Sequence, residues 1–141
     1  MKKLFLILIL ILIGIQFIPY GKEHINSSIL SEPKWDTPQT KALFMRACGD
    51  CHSNETKWPW YSNIAPISWV VYNHVEDGRE KLNVSMWEHQ DNEAKDAIKE
   101  IKEKKMPLSS YILVHPEANL TDEENQQLIQ GLKITFGIDK E

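Results

Sequence analysis

The pattern of apolar positions separates a hydrophobic N-terminus from an amphipathic remainder. An apolar run from Leu4 to Ile18 follows two lysines, and the first twenty residues contain no acidic side chain. Such a start is typical of an export signal. A helix over residues 4–20 would rise about 25 Å, slightly less than the roughly 30 Å hydrocarbon core of a bilayer. We predict an uncleaved signal anchor, a transmembrane helix, over residues 1–20, and a cleaved signal peptide is the alternative.

Two helices are predicted in the first half of the remaining chain. Thr37 and Pro38 form a typical helix start, with an N-cap hydroxyl followed by proline, and this helix would run into Cys48. The second would begin after Pro66 and end near Gly78. It would turn one helical stripe of side chains inward, formed by Ile67, Val70, Val71, His74 and Val75.

Two further helices are predicted in the second half. One, over about residues 91–105, would carry Ala94, Ile98 and Ile101 on its inner side. The last would begin at Thr121, where Thr-Asp-Glu-Glu is a capping-box sequence, and end near Gly137. No segment alternates between apolar and polar residues in the manner of a strand. The sequence therefore predicts an all-α fold, a small bundle of about four helices.

Composition and charge refine this division. Residues 21–34 are polar and lack an apolar period, so we predict a flexible tether there and a folded domain over residues 35–141. The first twenty residues hold two of the 16 basic side chains and none of the 20 acidic ones. Residues 21–141 therefore carry 14 basic and 20 acidic side chains, a formal charge of −6. An acidic domain is poorly suited to nucleic acid. So small a core would be marginal alone, and an enclosed cofactor would add apolar contact.

The two cysteines of the chain lie in Cys48-Gly-Asp-Cys51-His52. C-x-x-C-H is the attachment signature of haem c. Positions i and i+3 face the same way on one helical turn, so both sulfurs can reach one porphyrin edge while His52 approaches the iron. We predict one haem c, covalently attached at Cys48 and Cys51 and ligated by His52.

Three other uses of the cysteine pair compete with this prediction. A structural zinc site normally needs a second pair of soft ligands, and the chain has no further cysteine. A thioredoxin-like dithiol would normally follow a strand in a βαβ unit, which the pattern does not contain. A disulfide would close only a four-residue loop and stabilise little. An exported chain favours haem c over all three.

The sixth iron ligand is predicted to be Met106, which precedes Pro107 in a loop before the last helix. Methionine and histidine together raise the haem potential, as electron carriers require. Met106 could instead fill the core, since methionine adapts to irregular gaps. His74 is the main competitor as ligand or as a partner of a propionate, and His115 is a weaker one.

An aromatic segment follows the motif and is the remaining candidate wall of the site. Trp58, Trp60 and Tyr61 could enclose the haem and donate hydrogen bonds to its propionates, or could simply pack as a loop. The carbonyl of Pro66 is our prediction for the acceptor of the His52 Nδ1–H, a bond that strengthens the ligand. Arg79 could neutralise a propionate, although a surface role is equally compatible with its position.

With these residues assembled, the chain resembles the bacterial haem-binding domain family of small monohaem c-type cytochromes. The similar stretches are CGDCHSNETKWPWYSNIAPISWVVYNHVEDGREKLN and KKMPLSSYILVHPEANLTDEE, within about residues 35–135. The resemblance implies haem attachment at Cys48 and Cys51 and iron ligation by His52. The order of motif, Met-Pro loop and capped last helix is similar to that of the small cytochrome c fold. The prediction that Met106 is the sixth ligand depends mainly on this similarity.

Three functions fit these features. The first is an extracytoplasmic, membrane-anchored one-electron carrier that is not an enzyme and whose partners are the membrane and other redox proteins. An acidic surface would steer it toward basic patches. The second is a haem sensor or peroxidase-like enzyme with an open sixth position beside His74. The third is a binding module in which haem is only a structural core.

Overall fold

The computed structural model describes residues 1–138, and no β-strand occurs among them. The predicted all-α class is confirmed. Short 3₁₀ turns cover Ile15–Phe17, Trp60–Asn63 and Pro116–Ala118. The α-helices of the described residues are α1 Lys2–Gly14, α2 Pro38–Ala47, α3 Gly49–His52, α4 Ile67–Lys81, α5 Ala94–Lys102, α6 Ser109–Val114 and α7 Asp122–Thr135.

Two of the predicted helix starts are confirmed. The Thr37 hydroxyl accepts a hydrogen bond from the backbone N–H of Thr40 at 3.1 Å, and Pro38 is the first residue of α2. At α7, the Thr121 hydroxyl accepts from the Glu124 N–H at 3.2 Å, while the Glu124 carboxylate accepts from the Thr121 N–H at 3.0 Å. These reciprocal bonds satisfy backbone donors that the first turn of a helix leaves free.

The prediction for α4 is wrong in two respects. The helix continues through Gly78 to Lys81, and Gly78 is buried in its interior. Ile67 and Val70 are exposed, whereas Ser68, Val75 and Gly78 form the buried face. The buried face thus includes Ser68 and Gly78, which are not hydrophobic, and Gly78 lies against Cys51 of α3. Hydrophobicity alone therefore misplaces the inner face by part of a turn.

The predicted helix over residues 91–105 is shorter in the structure, which begins α5 at Ala94 and ends it at Lys102. Its inner residues Ile98 and Ile101 are buried, as predicted. After it, α6 is a short helix that the sequence pattern did not predict.

The hydrophobic core lies between α2, α5 and α7. It consists of Leu43, Phe44, Ala47, Leu82, Val84, Ile98, Ile101, Leu120, Leu128 and Leu132. Gly131 permits the close approach of α7 to α2, since a Cβ there would lie 2.1 Å from the Thr40 hydroxyl. This packing fixes α2, and α2 leads directly into the cysteine motif.

The N-terminal apolar run forms α1, whose side chains are largely exposed. No helix within residues 1–138 has both the length and the apolar character needed to cross a bilayer. The membrane anchor over residues 1–20 therefore stays a prediction.

Residues 21–34 lie against the domain, where the sequence predicts a flexible tether. His24 stacks on Trp58 with ring centroids 4.6 Å apart, and the Asn26 amide donates to the Thr56 carbonyl at 2.9 Å. Further along, the Leu30 N–H donates to the Ser85 carbonyl at 2.9 Å. Hydrogen bonds can thus order a polar segment even though its sequence has no apolar period from which order could be predicted.

Candidate functional site

The cysteine motif forms a single helical turn directly after α2. The Cys48 N–H donates to the Phe44 carbonyl at 2.7 Å, and the Cys48 carbonyl accepts from the N–H groups of Cys51 at 3.1 Å and His52 at 2.9 Å. Both thiols are free and half-buried. The predicted i, i+3 arrangement of the two sulfurs on one turn is therefore what the backbone adopts.

A cavity of about 630 Å³ opens beside this turn. Cys48, Cys51 and His52 line it, together with parts of α4, α5 and the loop that carries Met106. Apolar lining comes from Phe44, Ala47, Leu82, Ala97, Ile101, Met106, Pro107 and Leu108. Charged side chains also border it, namely Asp50, Asp77, Lys81, Glu93, Asp96, Lys99 and Glu100. Its volume and mostly apolar lining are those of a typical cofactor or ligand site.

His52 is oriented by the end of α4. Its Nδ1 lies 3.0 Å from the carbonyl oxygen of Leu82, the residue that follows the last turn. A carbonyl only accepts, so Nδ1 carries the proton and Nε2 keeps the lone pair that can bind a metal. Burial lowers the pKa of His52, which keeps the ring neutral, and backbone hydrogen bonds oppose this only in part.

The predicted Pro66 carbonyl is wrong as the partner of His52. Pro66 is exposed and caps the opposite end of α4, where its carbonyl accepts from the Trp69 N–H at 3.1 Å. Because α4 is 15 residues long, its two ends lie about 22 Å apart. The Leu82 carbonyl takes the role that the sequence assigned to Pro66.

The environment of the thiols keeps them protonated at neutral pH. Burial raises the pKa of Cys48 to about 12, and the neighbouring Cys51 adds to the effect. Burial, and then the charge of Asp50, raise the pKa of Cys51 to about 11, although Arg79 acts in the opposite direction. A redox-active dithiol needs a lowered thiol pKa. The site therefore lacks the electrostatics of a thioredoxin-like centre.

The close contact of α3 with α4 depends on Gly78. A Cβ at this position would lie 2.5 Å from the Cys51 carbonyl oxygen and 3.0 Å from the Cys51 Cβ. Because the first of these atoms belongs to the backbone, the turn that carries the motif would have to move.

We therefore expect Gly78→Ala to destabilise the protein, although alanine favours a helix by about 1 kcal/mol. Overpacking typically costs about 1–3 kcal/mol, and displacement of Cys51 should also reduce haem incorporation. Denaturant unfolding and haem content would measure both effects. Glu80→Ala, an exposed change in the same helix, is the control, and a Gly78→Ala protein as stable and as haem-rich as that control would refute this packing.

Sequence reasoning missed a hydrogen-bonded cluster around Asp50, the residue between the two cysteines. The Tyr111 hydroxyl donates to one carboxylate oxygen at 2.7 Å, and the Lys57 N–H donates to the other at 2.9 Å. Tyr111 also stacks on His115 at 4.5 Å, and His115 Nε2 lies 2.7 Å from the Tyr61 hydroxyl. Burial and the Asp50 hydrogen bond raise the pKa of Tyr111. The only sequence signal for this cluster was the density of aromatic residues.

Tyr111→Phe should lower the free energy of unfolding by about 1–2 kcal/mol, since it removes a half-buried hydrogen bond to a charged acceptor. The midpoint of denaturant unfolding would measure the change. Tyr72→Phe provides the control, because the Tyr72 hydroxyl has no hydrogen-bond partner within residues 1–138. Equal stability of the two variants would mean that the Asp50 bond does not hold the motif.

The other candidate ligands both line the large cavity. Met106 is half-buried and also packs against the core, which confirms its packing role, while its ligation of the iron stays a prediction. His74 projects from α4 and is exposed. His115, the weaker candidate, is outside the cavity lining and pairs with Glu117 at 3.0 Å.

The predicted aromatic wall is not part of this cavity. Trp60 is exposed, and Tyr61 bonds to His115. Trp58 lines a second cavity of about 450 Å³. These residues differ from the prediction because their 3₁₀ turn leads into the start of α4, whereas the large cavity adjoins its later turns.

Arg79 also borders the second cavity and does not line the first. Its Nε donates to the Ser53 carbonyl at 3.0 Å, and its Nη1 donates to the Ile25 carbonyl at 2.9 Å. Its Nη2 donates to Asn26 Oδ1 and to Thr56 Oγ1, each at 2.9 Å. The predicted role at a propionate is thus replaced by a structural one, in which Arg79 joins the N-terminal segment to the loop after the motif.

The residues at the large cavity fit a haem. Two thiols on one turn, a neutral imidazole with Nε2 unprotonated and a thioether border one mostly apolar space. No similar protein was found among curated proteins or solved structures. A family described as "Haem-binding domain" matches residues 10–134, which include the motif, Met106 and most of α7. The chain belongs to the haem-binding domain family.

Proposed function

We propose that the protein is a membrane-anchored, extracytoplasmic monohaem c-type cytochrome that carries single electrons. The observation that supports this most strongly is the position of Cys48, Cys51 and His52 on one turn beside a cavity that Met106 also lines. The protein binds haem as a member of its family. Covalent attachment, the second ligand and electron transfer are the parts that we propose.

In this proposal the chain holds and tunes the cofactor. Cys48 and Cys51 would form the two thioether bonds by adding their S–H groups across the two vinyl groups of the porphyrin, and His52 would supply Nε2 to the iron while the Leu82 carbonyl fixes its ring. Met106, in the loop between α5 and α6, would supply a second ligand to the iron. When bound, the haem supplies an iron that alternates between the ferrous and ferric states. Methionine–histidine ligation raises its potential.

The N-terminus and the charge of the domain support the proposed location and partners. Two lysines precede the apolar residues of α1, and the positive end of such a segment stays in the cytoplasm. The domain would then lie outside the cytoplasm, where haem c is attached. Its excess of acidic over basic side chains favours redox proteins with basic patches and disfavours nucleic acid.

A second function, a haem sensor or peroxidase-like enzyme, is favoured by one observation. His74 lines the same cavity and is exposed, so an imidazole is available near a ligand or peroxide if Met106 does not bind the iron. Such a function needs a vacant sixth position, whereas an electron carrier needs a filled one.

The ferric absorption spectrum of the haem-loaded full chain distinguishes the two functions. We expect a low-spin, six-coordinate spectrum, and reduced protein that does not bind carbon monoxide rapidly. His74→Ala should leave both results unchanged. A high-spin ferric spectrum with rapid carbon monoxide binding would overturn the carrier proposal and favour the sensor or peroxidase.

A further inference from the structure

An exposed apolar face extends from the 3₁₀ turn before α4, through the link between them, to the first turn of α4. Four large apolar side chains there are solvent-exposed: Trp60 at 76%, Ile64 at 42%, Ile67 at 48% and Val70 at 52%. Single exposed apolar residues are ordinary, whereas a contiguous exposed apolar patch marks an interaction surface. Ile67 and Val70 are three positions apart on α4 and therefore lie on one side of the helix. We call these four residues the Ile64 face.

The Ile64 face is fastened to the end of the N-terminal apolar segment. The Gln16 side-chain amide donates to the Ala65 carbonyl at 2.8 Å, and its oxygen accepts from the Ala65 N–H at 3.0 Å. Tyr20 donates from its hydroxyl to Asn73 one turn beyond the face. Gly21 lies so close to α4 that a Cβ would be 2.8 Å from the Ser68 carbonyl oxygen.

This attachment limits the distance between the face and α1. Gln16 lies two positions before Ile18, the last residue of the apolar run, which corresponds to a rise of about 3 Å in a helix. The layer between the hydrocarbon core and bulk water is roughly 5–8 Å thick on each side of a bilayer. Where Ile18 marks the outer edge of the hydrocarbon, the Ala65 backbone, which is hydrogen-bonded to Gln16, lies at the boundary between the hydrocarbon and the headgroup layer.

We infer that the Ile64 face rests on the phospholipid headgroup layer of the membrane that holds α1. This inference depends on the membrane attachment in the proposed function and adds an orientation to it. Trp60 suits that layer, because indole rings are enriched at membrane interfaces. Lys22, whose ammonium donates to the Gln16 carbonyl, places a cation at the same level, where anionic lipids attract it.

The orientation has a consequence for electron transfer. The Ile64 face lies at the first turn of α4, and the Leu82 carbonyl that holds His52 lies just beyond its last turn. The helix is about 22 Å long. A docked face therefore holds the haem site at a fixed position relative to the membrane, whereas a freely tethered domain would sample many.

Nitroxide labels on the full, haem-loaded chain test this inference in vesicles of phosphatidylcholine and phosphatidylglycerol. One label is placed at Ile64→Cys, and the control label at Ile134→Cys, a similarly exposed isoleucine of α7. We expect oxygen, which concentrates in lipid, to relax the Ile64 label more than an aqueous nickel complex does, and the reverse for the Ile134 label. In the Gln16→Ala variant, the nickel complex should relax the label at position 64 more than oxygen does, while the chain still floats with the vesicles.

Each other result has a defined meaning. If the chain floats but both labels favour the nickel complex, the face is not on the membrane and the inference is overturned while the anchor stands. If the Ile64 label is already protected from nickel without vesicles, a protein contact covers the face and the inference is also overturned. A chain that does not float overturns the membrane attachment itself. The number of labels per chain is a control for haem attachment. A value above one means that Cys48 or Cys51 is free and that haem attachment has failed in that sample.

Discussion

Replacement of Cys48 and Cys51 together by serine is expected to abolish the haem that stays with the denatured chain. Each sulfur is a proposed thioether site, whereas a hydroxyl forms no such bond. His52 and the cavity would still bind haem reversibly, so stability should become dependent on haem concentration. Free haem at 100 times its Kd would contribute about 2.7 kcal/mol to the free energy of unfolding. Haem staining of denaturing gels and unfolding at several haem concentrations would measure these effects.

The single replacements Cys48→Ser and Cys51→Ser are the matched controls, since each leaves one attachment site. Both should retain haem on the denatured chain, with the α-band of the reduced pyridine complex displaced from that of the parent. If the double variant retained haem after denaturation, the bond would be to another residue and the assignment of both cysteines would be wrong.

Met106→Leu is expected to lower the reduction potential by on the order of 0.1 V or more, within the roughly 0.8 V that axial ligands span. Leucine keeps the apolar volume but has no sulfur to bind iron, and methionine ligation is what raises the potential. Such a volume-conserving change should cost less than about 1.5 kcal/mol of stability. A redox titration and the ferric spectrum, which should lose its methionine–iron band, would check the prediction.

Met86→Leu is the control, because it makes the same chemical change at Met86, which lines the second cavity. It should alter neither the reduction potential nor the ferric spectrum. If Met106→Leu also kept its low-spin spectrum and potential, Met106 would be a packing residue only. His74→Ala would then be expected to show the change, because His74 is the other candidate ligand at the cavity.

The sequence predicts the parts of this fold that depend on local chemistry. Thr37 with Pro38 and Thr121 with Glu124 form their caps within four residues, so the starts of α2 and α7 can be found without tertiary information. The geometry of the motif is also local, because residues i and i+3 lie on the same side of a helix wherever that helix is placed.

The errors concern contacts between distant segments. Gly78 suggests a helix end by its conformational freedom, but α4 needs a residue without a side chain where it touches the Cys51 backbone. Arg79 looks like a surface cation, but it bonds to residues 23 to 54 positions away. The acceptor of His52 is a main-chain carbonyl at Leu82, which any residue type could supply. The pattern of apolar and polar residues along the chain does not predict such contacts.

The measurement that tests the central claim most directly is the intact mass of the denatured full chain. The protein would be produced in cells that attach haem to exported cytochromes, and then unfolded in acid. We predict a mass increase of one haem, located by fragmentation on the peptide that contains Cys48, Cys51 and His52. An unmodified mass for a protein that was red before denaturation would contradict the c-type attachment, and would leave a haem-binding protein whose cofactor is held by His52 and the cavity alone.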